Sequence, residues 1–495
     1  MPLDSAAADP QTTHDELHLR RTLGPVMLWG LGVGYVISGE YFGWNLGLAE
    51  GGSIGMLMAF VLITLMYVAF VLSYTEMACA IPRAGGVFVY GVRGLGMVAG
   101  FLGGIAQVIE FVFAPPAIAL AIGSYVQLWI TPTMQSSVER LTPGIGLPVW
   151  IAIVAYAIFT ALNIWGVRQA AIFELCVTLL AVGELLLFTA VTAPHFQWDH
   201  FTADGLPHGM LGALAAIPFA IWFYLAIEGV ANVAEETRNP QRDVQRGFGA
   251  ALATLVVLAC CSFFCSVGVG GWQRVVYEPQ QIEANEDGSL TITDPESRSD
   301  SPLPLALGQV VAPAHPLYHL LVGVGLLGLV ASFNGIILAS GRALFEMGRV
   351  GFLPHFVGHT NRATRTPAAA LILNLVVGVT AILFLDTGGL ITMSAFGAVT
   401  LYIVSMVALM RLRRIEPDLP RPYRTPWYPL LPIVAMAIAT LSLITMTVLN
   451  IDWAHPARSY SLWYFACLAL AFLYFFTFVH RHLTPEDIAH FRRID

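Results

Sequence analysis

Four glutamates, Glu40, Glu110, Glu184 and Glu228, stand in long apolar stretches of a 495-residue chain. The chain has no lysine, and no arginine lies near any of the four in sequence. A carboxylate removed from water and from fixed positive charge must take up a proton or hold a cation. These acids therefore point to binding of a positively charged ligand, to proton transfer, or to both. Two of them sit in segments that read as interrupted helices. The first is GLGVGYVISGEYFGWN, Gly30 to Asn45, where Gly32, Gly34 and Gly39 admit backbone angles closed to other residues and Ser38 can bond a freed backbone group. The second runs from Trp222 to Asn232, with Glu228-Gly229 at its middle. Scattered glycines also mark close helix packing, so the glycines alone do not decide. Tyr41, Phe42, Trp222, Phe223, Tyr224 and Phe333 supply rings near these segments. A cation over such a ring gains about 0.5 to 2 kcal/mol, although aromatics at helical spacing also serve plain packing. Asn334, beside Phe333, offers a polar contact to a ligand hydroxyl or to a neighbouring helix.

Other chemistries find less support. All six cysteines lie in apolar stretches without ligand-spaced partners, so neither a disulfide framework nor a metal site is expected. The 13 histidines fall almost entirely in loops or at the ends of apolar runs, which leaves no paired nucleophile and base for an enzyme. No cofactor is indicated.

The elements that must position the acids are membrane helices. Hydrophobic residues make up 57% of the chain and charged residues 11%, a balance that water-soluble domains do not sustain. A spanning helix needs about 20 mostly apolar residues, and about twelve such stretches occur. They centre near Val33, Val68, Phe113, Tyr156, Leu180, Ala220, Val257, Leu329, Val376, Val399, Ala437 and Leu470. The two interrupted segments are the first and sixth. In hydrocarbon, helix breaks persist only where they line a cavity or bind something, and paired breaks in two halves point to a binding site. With the N-terminus inside, 20 of the 24 arginines fall on the inner side and only Arg140, Arg274, Arg298 and Arg458 outside, which sets the orientation. Residues 1–20 read as a disordered cytoplasmic tail, residues 21–483 as the membrane domain, and residues 484–495 as a second cytoplasmic tail. The acids Glu278, Glu283, Glu286, Asp287, Asp294, Glu296 and Asp300 in one outer loop read as a solvated surface.

Four motifs carry a family resemblance. They are SYTEMACAIPRAGGVFVYGVRGLGMVAGF from Ser73, EETRNPQRD after the sixth stretch, ASGRALFEMGRVGFLPHFVGHTNRATRTP from Ala339, and RLRRIEPDLPRPYRTPWYPLLP from Arg411. In this order they resemble the amino acid, polyamine and organocation superfamily, and ISGEYFGWNLGLAEGG from Ile37 is similar to its ethanolamine permease branch.

The resemblance implies an all-α integral membrane protein with a LeuT-type inverted repeat of five plus five helices, at about residues 21–193 and 209–412. Two C-terminal helices follow at about 429–482. It implies helices 1 and 6 unwound at mid-membrane, alternating access, and a bacterial inner-membrane location with both termini cytoplasmic. Amino acid carriers of this fold seat the cargo carboxylate on the first break, where Glu40 places a negative charge. The expected cargo is therefore ethanolamine, its ammonium held by Glu40 or Glu110, by Trp222 and by carbonyls of the second break. Ser38 or Asn334 is expected at its hydroxyl, with Gly39, Tyr41, Tyr224, Glu228 and Phe333 completing the pocket. Coupling to protons is expected through Glu110, Glu184 or Glu228. Proton-coupled relatives carry a lysine where this chain has Ala181. A sodium site at Ser332 and Ser340, an amino acid or polyamine cargo, and a sensor built on the carrier fold are the alternatives. Glu76 and Arg342 are assigned to scaffold or gate contacts near the inner face.

Overall fold

A computed structural model describes residues 23–482 apart from 84, 166–169, 286–289, 362–363, 365, 454 and 457–458. Both expected tails, and Arg168, Arg362, Arg365, Arg458, Glu286 and Asp287, lie outside the described residues. Each of the twelve expected centres falls in a helix. These are α1 (Pro25–Val36), α2 (Trp44–Ala80), α3 (Met97–Gln127), α4 (Leu147–Trp165), α5 (Ala170–Thr192), α6 (Ile217–Trp222, preceded by Gly209–Ala215), α7 (Pro240–Gly270), α8 (Pro316–Arg349), α9 (Ala368–Phe384), α10 (Thr387–Ile415), α11 (Leu430–Leu449) and α12 (Tyr460–Tyr474). Their outward faces carry large apolar residues such as Leu65, Ile158, Val257, Val376 and Leu470, as lipid contact requires.

Helix α2 is 37 residues long, too long for one crossing. Gly52, at φ 66 and ψ −174, divides it. Residues 44–51 therefore complete the first span beyond its break, and residues 53–80 form the second. A Cβ at Gly52 would stand 2.5 Å from Pro207 Cδ and 2.6 Å from Gly205 O, so glycine is needed there for space as well as angle.

At the face where α1 begins, here the near face, ion pairs tie the helix ends together. Glu76, almost fully buried at the end of α2, accepts from Arg413 Nε at 2.8 Å and from Thr425 N at 2.7 Å, and lies 3.2 Å from Arg421 Nε. Arg93 grips Glu416 with two nitrogens, and Arg342 of α8 meets Glu236 at 3.2 Å. Removing one member of a buried pair strands the other. Glu76→Gln is expected to destabilise the protein by about 3 kcal/mol, read as a lower midpoint of thermal unfolding.

At the far face the acidic loop is docked rather than simply solvated. It forms a small antiparallel hairpin, Ile282–Ala284 with Leu290–Ile292, a minor departure from an all-helical chain. Arg298 pairs with Glu50 at 2.8 Å, Asn45 Nδ2 donates to Ser299 O at 2.8 Å, and Thr387 Oγ1 donates to Asp300 at 2.7 Å. Burial pushes the Asp300 carboxyl up to about 7, with the nearby Asp386 adding to the effect. A raised carboxyl favours its neutral form in the docked state, so the contact is firmest below about pH 4, weakens as pH rises toward 7 and changes no further above it. Protection of residues 276–301 against hydrogen exchange, corrected for the intrinsic exchange rate, is expected to fall between about pH 4 and pH 7, and Asp300→Asn to abolish that fall.

Candidate functional site

The two breaks lie where expected and pack on each other. After α1, a single helical turn (Ser38–Tyr41) ends in extended Phe42 and in Gly43 at φ 88. The freed Gly43 N–H donates to Asn45 Oδ1 at 3.0 Å. Helix α6 stops at Trp222, Ala226 turns left-handed at φ 73, and a 3-10 helix continues over Ile227–Glu236. A Cβ on Gly39 would run into the Trp222 carbonyl, and one on Gly43 would stand 2.6 Å from the Trp222 ring. Gly39→Ala is therefore expected to part the breaks, costing about 1–3 kcal/mol, as thermal unfolding would show.

Left-handed Ala226 aims its N–H at α3, where it donates to Glu110 Oε1 at 3.1 Å. Two residues on, Glu228 accepts from Tyr402 of α10 at 3.2 Å, and Tyr402 bonds Tyr67 of α2 at 2.9 Å. Glu110 Oε2 and Glu228 Oε1 have no donor, both residues are fully buried, and the two carboxyls are within hydrogen-bonding reach of one another. Helix α10 comes this close because Gly397 rests on α3; a Cβ there would stand 2.7 Å from Glu110 N. Two bare carboxylates about 4 Å apart repel by about 4 kcal/mol at an effective dielectric near 20. The pair must share a proton or hold a cation.

Glu40 is also fully buried, with no donor to either oxygen. Its carboxyl lies within electrostatic reach of Tyr224 on the second break and Cys260 on α7, apart from the Glu110–Glu228 pair. Tyr224 bonds Thr64 of α2 at 2.8 Å. Trp222 stands edge-on to Phe42 with centroids 5.4 Å apart, and its indole N–H has no acceptor. Glu184 accepts from Tyr41 Oη at 2.6 Å and, with Tyr41, Tyr125 and Phe188, lines a cavity of about 10 Å³, which is room for about one water. The Tyr41 hydroxyl also lies 3.2 Å from the carbonyl oxygen of Ala181.

Two expectations are corrected. On α8, Gly325 and Gly328 pack on Tyr41, Gly335 packs on Tyr35, and Ser332 bonds both Ser38 Oγ and Tyr35 O at 2.8 Å. Helical rotation of about 100° per residue turns the next positions away from the break. Phe333 packs on Tyr156 and Phe159 of α4, at 5.3 and 5.6 Å between centroids, and Asn334 accepts from Asn163 at 2.9 Å. Neither reaches the breaks. Ser340 donates to Ile337 O of its own helix at 3.0 Å. Tyr67, Tyr402 and Glu174 were missed: nothing in their apolar surroundings marks them until the fold gives them neighbours.

Helix breaks facing one another across a sealed cluster of acids, in a bundle clad in apolar residues, define a multi-pass membrane transporter rather than an enzyme. Residues 27–490 match the amino acid permease family model, and the chain belongs to that family within the amino acid, polyamine and organocation superfamily. An uncharacterized transporter of Rhizobium meliloti (strain 1021) is 28% identical over 88% of both chains. A methylthioribose transporter of Bacillus subtilis (strain 168) is 25% identical over 97% of both. A low-affinity putrescine importer of Escherichia coli (strain K12) is 24% identical over 82% of this chain and 84% of its own.

Proposed function

We propose that this chain imports ethanolamine, or a closely similar small amine, across the bacterial inner membrane by alternating access. The observation that carries the reading is the buried Glu110–Glu228 pair beside the second break, to which no arginine is bonded among the described residues. An ammonium group entering there displaces the shared proton and meets two carboxylates, with the Tyr67 and Tyr402 hydroxyls and break carbonyls to receive its remaining hydrogens. Ser38, Gly39, Tyr41, Trp222 and Tyr224 close the space around it, and Glu40 discourages a cargo carboxylate. The arginine bias makes the near face cytoplasmic, and residues 21–193 and 209–412 form the two halves of the carrier. Coupling of import to a proton gradient completes the proposal.

A second reading, a diamine cargo, is favoured by one observation: Glu40 is a separate buried acid, so a two-headed cation would find a carboxylate at each end. Counterflow in proteoliposomes with ethanolamine, putrescine and alanine separates these readings. Fastest exchange of ethanolamine supports the first and of putrescine the second, while alanine exchanging as fast as either removes both.

A further inference from the structure

An ammonium that displaces the proton of the Glu110–Glu228 pair cannot carry that same proton along. Import of an amine together with a proton therefore needs another carboxyl, one that opens to the two sides of the membrane in turn. Glu184 is held by Tyr41 Oη at 2.6 Å, which leaves Glu174 of α5: it is 4% exposed and its Oε1 has no partner.

The fold makes room for it deliberately. A Cβ on Gly34 of α1 would stand 2.6 Å from Glu174 Oε1 and 2.8 Å from Thr178 Oγ1, and one on Gly335 of α8 would stand 3.5 Å from Oε1. Thr178 donates to Gly30 O at 3.2 Å, and Leu175 fills the space against Gly30. The carboxyl thus occupies the seam between α5 and the near half of the first span. Tyr35 is its titratable neighbour on α1. Arg342 and Glu236 also reach Tyr35, but they pair with each other and are partly exposed at the near face.

The covering segment is tied to the second break. Leu23 N donates to Glu236 O at 3.0 Å and Arg238 N to Leu23 O at 2.9 Å, so the start of α1 and the 3-10 segment bearing Glu228 form one body. Any swing of that body at the near face uncovers Glu174 and displaces Glu228 together.

We propose that Glu174 is the coupling carboxyl. It takes a proton from far-side water, is sealed neutral in the α1–α5 seam, and gives the proton to near-side water when the α1–α6 body swings out. This rests on the transporter reading but not on ethanolamine as cargo.

The test uses the full chain in proteoliposomes, wild type, Glu174→Gln and Glu174→Asp, with whichever of ethanolamine, putrescine and alanine the wild type exchanges fastest. Glu174→Gln is expected to continue cargo-for-cargo exchange, while accumulation driven by a pH gradient, and the proton influx that accompanies it, fall about tenfold or more. Glu174→Asp is expected to keep both. Gradient-driven accumulation in Glu174→Gln equal to that of the wild type overturns the proposal. So does equal loss of exchange and accumulation in a variant whose thermal unfolding is unshifted. Infrared spectra of the purified protein give a measurement free of cargo: the band of a buried neutral carboxyl is expected to lose intensity in Glu174→Gln, and an identical spectrum contradicts the assignment. If the wild type exchanges none of the three cargoes, the cargo reading fails and the infrared result still decides for or against Glu174.

Discussion

The double variant Glu110→Gln/Glu228→Gln is expected to bind a cationic cargo roughly a thousandfold more weakly than the wild type. At about 4 Å and an effective dielectric near 20, one charge pair is worth about 4 kcal/mol, and each 1.4 kcal/mol is tenfold in affinity. Glutamine keeps the shape of the side chain and can still accept from Ala226 N–H or Tyr402, so packing is preserved while charge is lost. Each single variant keeps one carboxylate and retains part of the affinity. The singles keep one buried carboxyl that takes up a proton in the absence of cargo, so their binding is expected to remain dependent on pH, whereas the double variant is expected to lose that dependence. Initial uptake rates over a range of cargo concentrations, with thermal unfolding as the control for folding, measure both effects. Unchanged apparent affinity in the double variant would place the cargo elsewhere.

With Glu40 ionised, an α-amino acid is expected to compete against ethanolamine up to roughly a thousandfold less well, by the same arithmetic with the sign reversed. Its carboxylate has to lie against the first break, where Glu40 is buried without a donor. The Gly43 N–H that could receive an anion is already taken by Asn45. Glu40→Gln removes the repulsion and is expected to recover much of the lost competition by alanine while leaving ethanolamine affinity nearly unchanged, as inhibition curves in the uptake assay would show. If Glu40→Gln instead weakens putrescine and spares ethanolamine, the second head of a diamine sits there.

How far the residues alone led differs between fold and site. Each of the twelve hydrophobic centres lies in a helix because about 20 apolar residues in succession have few other stable arrangements in lipid. Gly43 and Ala226 were harder. Glycines in the first break and the Glu228-Gly229 pair located the segments, yet the second left-handed turn falls on an alanine, which no propensity marks. Among the acids, intramembrane position singled out Glu110, Glu184 and Glu228, but which of them meet depends on how α3, α6 and α10 pack. Gly397, whose missing side chain lets α10 reach Glu110, carries no signal in a linear reading. Phe333 and Asn334 went astray for a simple reason: they adjoin Ser332, which does face the first break, and one helical step of about 100° turned them toward α4. Glu174 escaped notice beside the apolar run of α5 because no partner, near or far in sequence, marks it.

Calorimetry of cargo binding to the purified protein, run at one pH in two buffers of different ionisation enthalpy, counts the protons released as the amine binds. The Glu110–Glu228 pair predicts release of about one proton per ethanolamine in the wild type and none in the double variant, whose affinity collapses. Tight binding with no proton released, and equal in the two proteins, contradicts it.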